Sequence, residues 1–286
     1  VVSKIPDIRP DNTDRNRTSP FAFTGNRFEF RAVGSSVNVA SAMFLLNSAV
    51  AQQLVRFKSM VDAGLKSGLK KEEAVIQVIR TFIIESKKIR FEGNGYSQEW
   101  QEEAKARGLK GISNVPEAFK VFMSEESMKL MHETGVLTER EVEARYEVMN
   151  ETYIKKLQIE ARVIGDLTIN HIIPTAIKFQ NSLIDNVLGL KEIFGEEEYK
   201  IMADRQLYTI RKLSGYIQSL REDFQGIVQA RKEANVISSY PEMAAAYAAN
   251  VQPYIGKIRT TVDKLEMLVD DELWPLPKYR EMLFWR

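Results

Sequence analysis

The chain has 286 residues, of which 44% are hydrophobic and 28% charged, so it is long enough to bury one large core or two smaller ones. Its 40 basic and 39 acidic residues leave a formal net charge of +1, which gives no general attraction to nucleic acid or to an anionic membrane. The absence of cysteine excludes disulfides, thiolate nucleophiles and thiolate metal ligands, and we expect a cytoplasmic protein.

No apolar segment reaches the roughly 18 residues that a membrane-spanning helix needs, so we expect no membrane partner. The best candidate, residues 37–55, is interrupted by Asn47 and by Gln52 and Gln53. The sequence begins with Val1 rather than methionine, and a polar lead enters directly into a dense motif. We therefore expect part of a longer protein.

The first 26 residues have the composition of loops. Several prolines and Gly25 interrupt them, and the one strand-forming segment is Phe21–Phe23. We predict a short strand there and loop elsewhere.

Residues 27–31 alternate charged and aromatic side chains. Arg27, Glu29 and Arg31 alternate with Phe28 and Phe30, which is the period-two pattern of a half-buried strand. Side chains on one face of a strand repeat about every 7 Å, so the Glu29 carboxylate lies within reach of two guanidinium groups. Two interpretations are open: a site that grips an anion and a metal ion, or a solvated ladder of ion pairs worth roughly 0–1 kcal/mol each.

Helical patterns follow Arg31. Residues 37–63 carry an apolar stripe at helical spacing with a serine available as N-cap, and we predict that Gly64 and Gly68 end this helix. A second helix is predicted from Lys70 to Lys88. Shorter elements are predicted beyond it, namely a turn at 93–95 and helices at 98–107 and 116–123.

Three long helical patterns come next. Thr138 and Glu141 form a capping box that opens a helix running toward Leu190, and we expect Pro174 to kink or divide this helix near Ile173. Further helices are predicted over residues 196–236 and, after a start resembling a capping box at 239–242, over residues 243–269. Short connections between long helices predict an antiparallel bundle. The aromatic segment 274–286 is expected to dock on the body of the protein or on a partner.

The helical region offers little catalytic chemistry. Its two histidines, His132 and His171, lack metal-ligand spacing, and we interpret both as structural. The acidic groups at 125–126 and 196–198 lie at predicted helix starts, where carboxylates stabilise the helix dipole. A glycine-rich phosphate loop, a nucleophile elbow and an H-E-x-x-H motif are all missing from the sequence. The candidate chemistry therefore lies in the first 31 residues.

Those residues resemble the late catalytic segment of glutamine synthetases, in which an Asn-Arg-Ser/Thr element precedes a Glu-x-Arg strand. The matching segments are Asn16-Arg17-Thr18-Ser19 and Arg27-Phe28-Glu29-Phe30-Arg31. Three longer segments, residues 14–36, 90–97 and 274–284, are similar to the long-chain type III branch, where an extended helical region follows the catalytic domain. The sequence thus resembles the C-terminal part of a type III glutamine synthetase.

The resemblance implies a mainly α fold in which a short strand and loop remnant of the catalytic α+β domain precedes an antiparallel helical bundle. On this basis residues 1–36 would be the end of the catalytic domain and residues 37–273 a helical C-terminal domain. Residues 274–286 would form an aromatic docking tail.

The resemblance also implies roles for four residues. Glu29 would ligate the Mg²⁺ or Mn²⁺ ion that bridges the phosphates of ATP. Arg31 would hold the side-chain carboxylate of the substrate glutamate and its phosphorylated form. Arg17 would contact the phosphates of ATP, and Arg27 would lie near the nucleotide. The implied reaction phosphorylates glutamate with ATP, after which ammonia displaces the phosphate to give glutamine.

Two features limit what this chain is expected to do alone. The short-chain enzymes of the family carry another arginine five residues after the Asn-Arg arginine, where this sequence has Ala22. The family's other metal carboxylates and its metal-binding histidine precede the matching segment, so we expect the isolated chain to be inactive. The full enzyme is expected to be a homo-oligomer, a dodecamer of stacked hexamers. The alternative is a non-catalytic helical assembly module, in which residues 27–31 form only an ion-pair ladder.

Overall fold

The computed structural model of the chain describes residues 21–23, 28–30, 38–91 and 94–283. These ranges are almost entirely helical, which confirms the predicted mainly α fold class. The strands and α-helices are, in chain order, β1 Phe21–Phe23, β2 Phe28–Phe30, α1 Ala40–Lys66, α2 Lys71–Glu85, α3 Gln98–Ala106, α4 Val115–Phe122, α5 Glu125–Thr134, α6 Glu139–Asp166, α7 Ile173–Ile193, α8 Glu198–Met202, α9 Asp204–Asn235, α10 Tyr240–Ala246, α11 Gln252–Glu266 and α12 Tyr279–Leu283.

The two predicted strands are both present and pair with each other. They are antiparallel, and the register pairs Phe21 with Phe30, Ala22 with Glu29 and Phe23 with Phe28. The period-two pattern therefore identified β2 correctly at its centre, whereas Arg27 and Arg31, on either side of it, lie outside the described residues.

The chain divides into two compact units. The first contains the hairpin and helices α1, α2, α3 and α5, and the second contains α4 and α6 to α12. The predicted domain boundaries after residues 36 and 273 stay predictions, since residues 31–37 lie outside the described ranges.

In the first unit, α1 packs against α2 near its C-terminal half. The rings of Phe57 and Phe82 meet edge to face with centroids 5.7 Å apart, and Arg56 pairs with Glu85 at 2.8 Å. Towards the middle of α1, the Gln52 side-chain amide donates a hydrogen bond of 2.6 Å to Glu133 of α5. These contacts orient α2 and α5 on α1.

The ends of α1 differ from the prediction. The helix begins at Ala40 instead of residue 37, and the Asn38 side chain, rather than a serine, accepts a hydrogen bond from the Ala40 backbone N–H at 2.8 Å. Gly64 does not end the helix. A Cβ at this position would lie 3.0 Å from Cβ of Ala74, so Gly64 allows α2 to approach closely. The chain turns at Gly68, whose φ of +93° is a left-handed conformation that glycine adopts without strain.

The shorter helices agree closely with the prediction. Ser97 and Asn114 accept hydrogen bonds from backbone N–H groups in the first turns of α3 and α4, at 3.2 and 2.9 Å. The predicted helix 70–88 is observed as α2 followed by a 3₁₀ turn at Ser86–Lys88.

In the second unit, α6 and α7 form one continuous helical segment with a π-helical turn at Leu167–Ile172. Pro174 follows this turn directly. Proline has no N–H to donate and its ring clashes with the carbonyl four residues earlier, and the wider π turn relieves both problems. The expected change near Ile173 is therefore confirmed, in the form of a π turn.

The same device recurs where the sequence did not predict it. The helix expected over residues 243–269 begins at Tyr240 and contains a second π turn at Tyr247–Val251, just before Pro253. Ser239 precedes this helix but makes no side-chain capping hydrogen bond, so the predicted capping box is wrong here.

The helix predicted over residues 196–236 is interrupted. It is observed as α8 and α9, which are separated at Ala203, a fully buried residue. Glu196 lies before α8 and pairs with Lys191 at 2.9 Å, and this hydrogen bond and charge lower the pKa of Glu196 below its ordinary value.

The core of the second unit lies between α7, α9 and α11. Gln180 of α7 donates a hydrogen bond to Ser214 of α9 at 2.7 Å, and Gln206 lies opposite Asn186, so α7 and α9 are antiparallel. The predicted antiparallel bundle is confirmed. The central side chains, none more than 8% exposed, are Leu213, Ile217, Leu220, Ile227, Tyr247, Val251, Ile258, Leu265 and Trp274.

Two glycines of α9 predict opposite effects of the same substitution. A Cβ at Gly226 would lie 2.5 Å from Cζ of the Tyr254 ring, so we expect Gly226→Ala to lower the free energy of unfolding by about 1–3 kcal/mol. A Cβ at Gly215 would meet nothing within 4 Å, so Gly215→Ala should raise it by about 0.5–1 kcal/mol. Urea unfolding of both variants measures the difference. Equal effects of the two would contradict the close approach of Tyr254 to α9.

Candidate functional site

Glu29 is the described residue for which a catalytic role was predicted. It occupies the centre of β2, is half-buried, and lies opposite Ala22 in the register of the hairpin. Directly opposed residues in an antiparallel pair have Cβ atoms about 4.5–5.5 Å apart and share a face of the sheet. Position 22 is also the position at which the short-chain enzymes carry the additional arginine. In this chain alanine brings no charge to the position across from Glu29.

This pairing bears on the chemistry of the carboxylate. An arginine at position 22 would lie within reach of Glu29 and would compete with a metal ion for its oxygens. Alanine introduces no such cross-strand competitor. A half-buried carboxylate at the centre of a strand is suited to ligate a hard divalent cation such as Mg²⁺ or Mn²⁺.

The remaining predicted site residues are not placed by the structure. Arg17, Arg27 and Arg31 all lie outside the described ranges, and their roles stay predictions. Within the described ranges, no three histidine, aspartate or glutamate side chains come together as a metal site. His132 is exposed in the last turn of α5, and His171 is exposed in the first π turn.

The second segment that carries the family resemblance, residues 90–97, is held at both of its ends. The ring of Phe91 stacks on Trp100 at 3.8 Å, and the Arg107 guanidinium lies 5.3 Å from the Trp100 ring centroid. Arg107 also donates hydrogen bonds to the backbone carbonyls of Lys88 and Arg90, at 3.3 and 2.9 Å. The sequence analysis missed Trp100 and Arg107, although their seven-residue spacing, two turns along a predicted helix, was visible.

At its C-terminal end this segment passes into α3 through Ser97. Glu99, in the first turn of α3, accepts hydrogen bonds from its own backbone N–H and from Ser97, and both lower its pKa. Tyr96, just before the helix, is 73% exposed. The segment therefore presents an exposed aromatic side chain beside an anchored helix start.

The third such segment begins at Trp274. Its indole is 8% exposed within the core of the second unit, and Leu276 packs against the same core. Lys278 donates a hydrogen bond of 3.0 Å to the carbonyl of Glu266 and also pairs with Asp271. Residues 274–278 are thus anchored on α11 and the turn after it.

Across the helices that the structure describes, none is both long enough and apolar enough to cross a lipid bilayer.

Comparison with known proteins places these features in a family. Residues 74–191 match the family model described as the glutamine synthetase C-terminal domain. This matched range starts within α2 and ends within α7, so the hairpin and α1 precede it.

Three curated relatives extend the similarity to nearly the whole chain. A glutamine synthetase of Bacteroides fragilis (strain YCH46) is 48% identical over 283 residues, which is 99% of this chain and 39% of the relative. A type-3 glutamine synthetase of Dictyostelium discoideum is 34% identical over 100% of this chain and 39% of its own length. A glutamine synthetase of Butyrivibrio fibrisolvens is 29% identical over 96% of this chain and 38% of its own length. The chain spans about two fifths of the length of each relative.

Proposed function

Since this chain belongs to the type III glutamine synthetases and carries their C-terminal domain, we propose that it supplies part of the active site of an ATP-dependent glutamate–ammonia ligase. The proposed reaction transfers the γ-phosphoryl group of ATP to the side-chain carboxylate of glutamate. Ammonia then attacks the acyl phosphate, phosphate leaves, and glutamine is formed for nitrogen assimilation. The observation that carries this proposal is Glu29 at the centre of β2, in a segment resembling the family's catalytic strand.

The proposed roles follow from the charges of the side chains. Glu29 would hold a Mg²⁺ or Mn²⁺ ion, which when bound neutralises charge on the phosphates of ATP. Arg31 would hold the glutamate carboxylate through its planar guanidinium fork, and Arg17 would hold the phosphates. Arg27 would lie near the nucleotide. Phosphoryl transfer depends mainly on such positioning and charge neutralisation.

Glu29 alone does not complete this site. A Mg²⁺ or Mn²⁺ ion takes several oxygen ligands, and the described ranges bring no three candidate ligands together. We therefore propose that the other ligands belong to the part of the enzyme that this chain does not span. The isolated chain would then be inactive.

The surface of α1 supports this division of the enzyme. Of its 27 residues only Ser48 is buried, although the helix follows the catalytic strand closely in the sequence. The predicted apolar stripe is largely uncovered, with Met43, Val50 and Leu54 respectively 56%, 49% and 63% exposed. Apolar side chains in a continuous stripe are ordinarily buried. We propose that the remaining catalytic domain covers this stripe.

Further properties of the whole enzyme are proposed from the family. Its substrates would be glutamate, ammonia and ATP, and identical subunits would assemble into a dodecamer of stacked hexamers. We place it in the cytoplasm. The net charge of +1 favours neither nucleic acid nor a membrane surface as a partner.

Arg31→Ala in the full-length enzyme tests the proposed site. We expect kcat/KM for glutamine formation to fall by about 10²-fold or more, because the substrate carboxylate loses its charge-matched donor. Arg162→Ala is the matched control, since Arg162 lies exposed on α6 in the second unit. Both variants should retain their circular dichroism spectrum and assembly state.

Unchanged kinetics of the Arg31→Ala enzyme would contradict the site and favour the alternative, a non-catalytic helical module with an ion-pair ladder at residues 27–31. The same assay applied to the isolated chain should show no glutamine. Measurable synthesis by the chain alone would contradict the proposal that the site is shared with the rest of the enzyme.

A further inference from the structure

One face of α2 carries an uncovered row of isoleucines. Ile76, Ile79 and Ile83 follow helical spacing and are 38%, 43% and 49% exposed. The side of α2 that packs on α1 is a different one and carries Ala74 and Phe82. Three branched apolar side chains in one row form a ridge that another helix can pack against.

Opposite charges close the two ends of this row. Glu72 lies one turn before Ile76, and Lys87 lies one turn after Ile83, so both belong to the same face. Both side chains are exposed, and neither has an ion-pair partner among the residues that the structure describes. From N- to C-terminus the face therefore presents an acid, three isoleucines and a base.

We propose that this face binds the same face of α2 in a second copy of the chain, in an antiparallel arrangement about a two-fold axis near Ile79. This arrangement places Ile76 beside Ile83 of the other copy, and the two Ile79 side chains meet near the axis. Glu72 then lies beside Lys87 of the other copy at both ends of the contact. A face with an acid at one end and a base at the other is self-complementary under a two-fold rotation.

The charge pattern selects this occupant over other partners. A parallel pairing would bring Glu72 against Glu72 and Lys87 against Lys87, which costs free energy. A 15-residue helix is about 22 Å long, and a pair of such helices buries less than the roughly 1,000 Å² of an interface that is stable by itself. The contact is therefore a weak one that gains strength within a larger assembly of identical subunits. It does not depend on the catalytic roles of residues 17–31.

Sedimentation of the full 286-residue chain over a range of concentrations tests the contact. We expect reversible dimerisation, weakened about 100-fold or more by Ile79→Glu, which would place two carboxylates at the axis. Ile159→Glu is the matched control, because Ile159 is 62% exposed on α6, in the other unit. It should leave the dimerisation constant unchanged.

Charge reversal separates this contact from other apolar association, including association through α1. Glu72→Lys and Lys87→Glu should each weaken dimerisation about 10-fold, and the double variant should restore it, since each end is again an opposite-charge pair. A chain that stays monomeric at all concentrations would overturn the proposal. So would a dimer that Ile79→Glu leaves intact, or a double variant that is no better than the single ones. All of these outcomes leave the Arg31→Ala test unaffected.

Discussion

Replacing Glu29 with glutamine in the full-length enzyme is expected to lower kcat/KM for glutamine formation by about 10³-fold, the largest effect that we predict. Glutamine has nearly the shape of glutamate, so β2 and its pairing with β1 should persist. The neutral amide is a poor ligand for a divalent ion, and the loss removes several kcal/mol of charge stabilisation from the phosphoryl transfer step. Steady-state kinetics at saturating Mn²⁺ or Mg²⁺ measures the change.

A direct metal-binding measurement makes this prediction specific. Titration of the variant enzyme with Mn²⁺, followed by electron paramagnetic resonance, should show weakened binding relative to the unaltered enzyme. Glu147→Gln removes an exposed carboxylate from α6 and is the matched control. If Glu29→Gln bound Mn²⁺ as tightly as the control and kept its activity, Glu29 would not be a metal ligand.

Ala22→Arg would be informative in the same assay because position 22 lies opposite Glu29 in the hairpin. A guanidinium there should compete with the metal ion for the Glu29 carboxylate. The register of two short strands thus connects a departure from the short-chain pattern with the electrostatics of one proposed metal ligand.

Trp274→Ala is expected to produce the largest loss of stability, about 3–5 kcal/mol in the free energy of unfolding. The indole is 8% exposed and belongs to the same core cluster as Leu265 and Val269, so its removal leaves a large cavity. The Lys278 ammonium group, 5.9 Å from the indole ring centroid, also loses a favourable cation–π contact. Urea unfolding of the 286-residue chain, monitored by circular dichroism, measures the loss.

Tyr96→Ala provides the comparison, since Tyr96 is 73% exposed and its removal should change the free energy of unfolding by less than about 0.5 kcal/mol. A Trp274→Ala chain as stable as the Tyr96→Ala chain would show that residues 274–278 do not contribute to the core in solution. Removing residues 274–286 should then be equally harmless, which is the opposite of what the buried indole predicts.

Local patterns in the sequence were sufficient to predict most elements. Alternation of charged and aromatic residues identified β2, and side-chain caps at Ser97 and Asn114 marked the starts of α3 and α4. Pro174 marked the place where the long helix changes its geometry. These features are set by residues within one or two turns of one another, and a single sequence contains that information.

The sequence alone also singled out Glu29, and with Arg17, Arg27 and Arg31 it indicated the family that the comparisons support. What it did not contain was the pairing of Glu29 with position 22, because strand register depends on two segments together. The sequence likewise predicted an apolar stripe on α1 but not that this stripe is uncovered, because an apolar pattern does not identify the element that covers it.

The glycines show the same division most clearly. Composition and helix propensity treat Gly64, Gly215 and Gly226 alike, as weak points or ends of helices. The tertiary structure separates them: Gly64 admits Ala74, Gly226 admits the ring of Tyr254, and Gly215 meets nothing within 4 Å. The sequence therefore determined where helices and strands form and which side chains carry charge. Packing between distant segments decided which glycines are required, which apolar faces are covered and what lies opposite Glu29, since those contacts join residues that no local pattern relates.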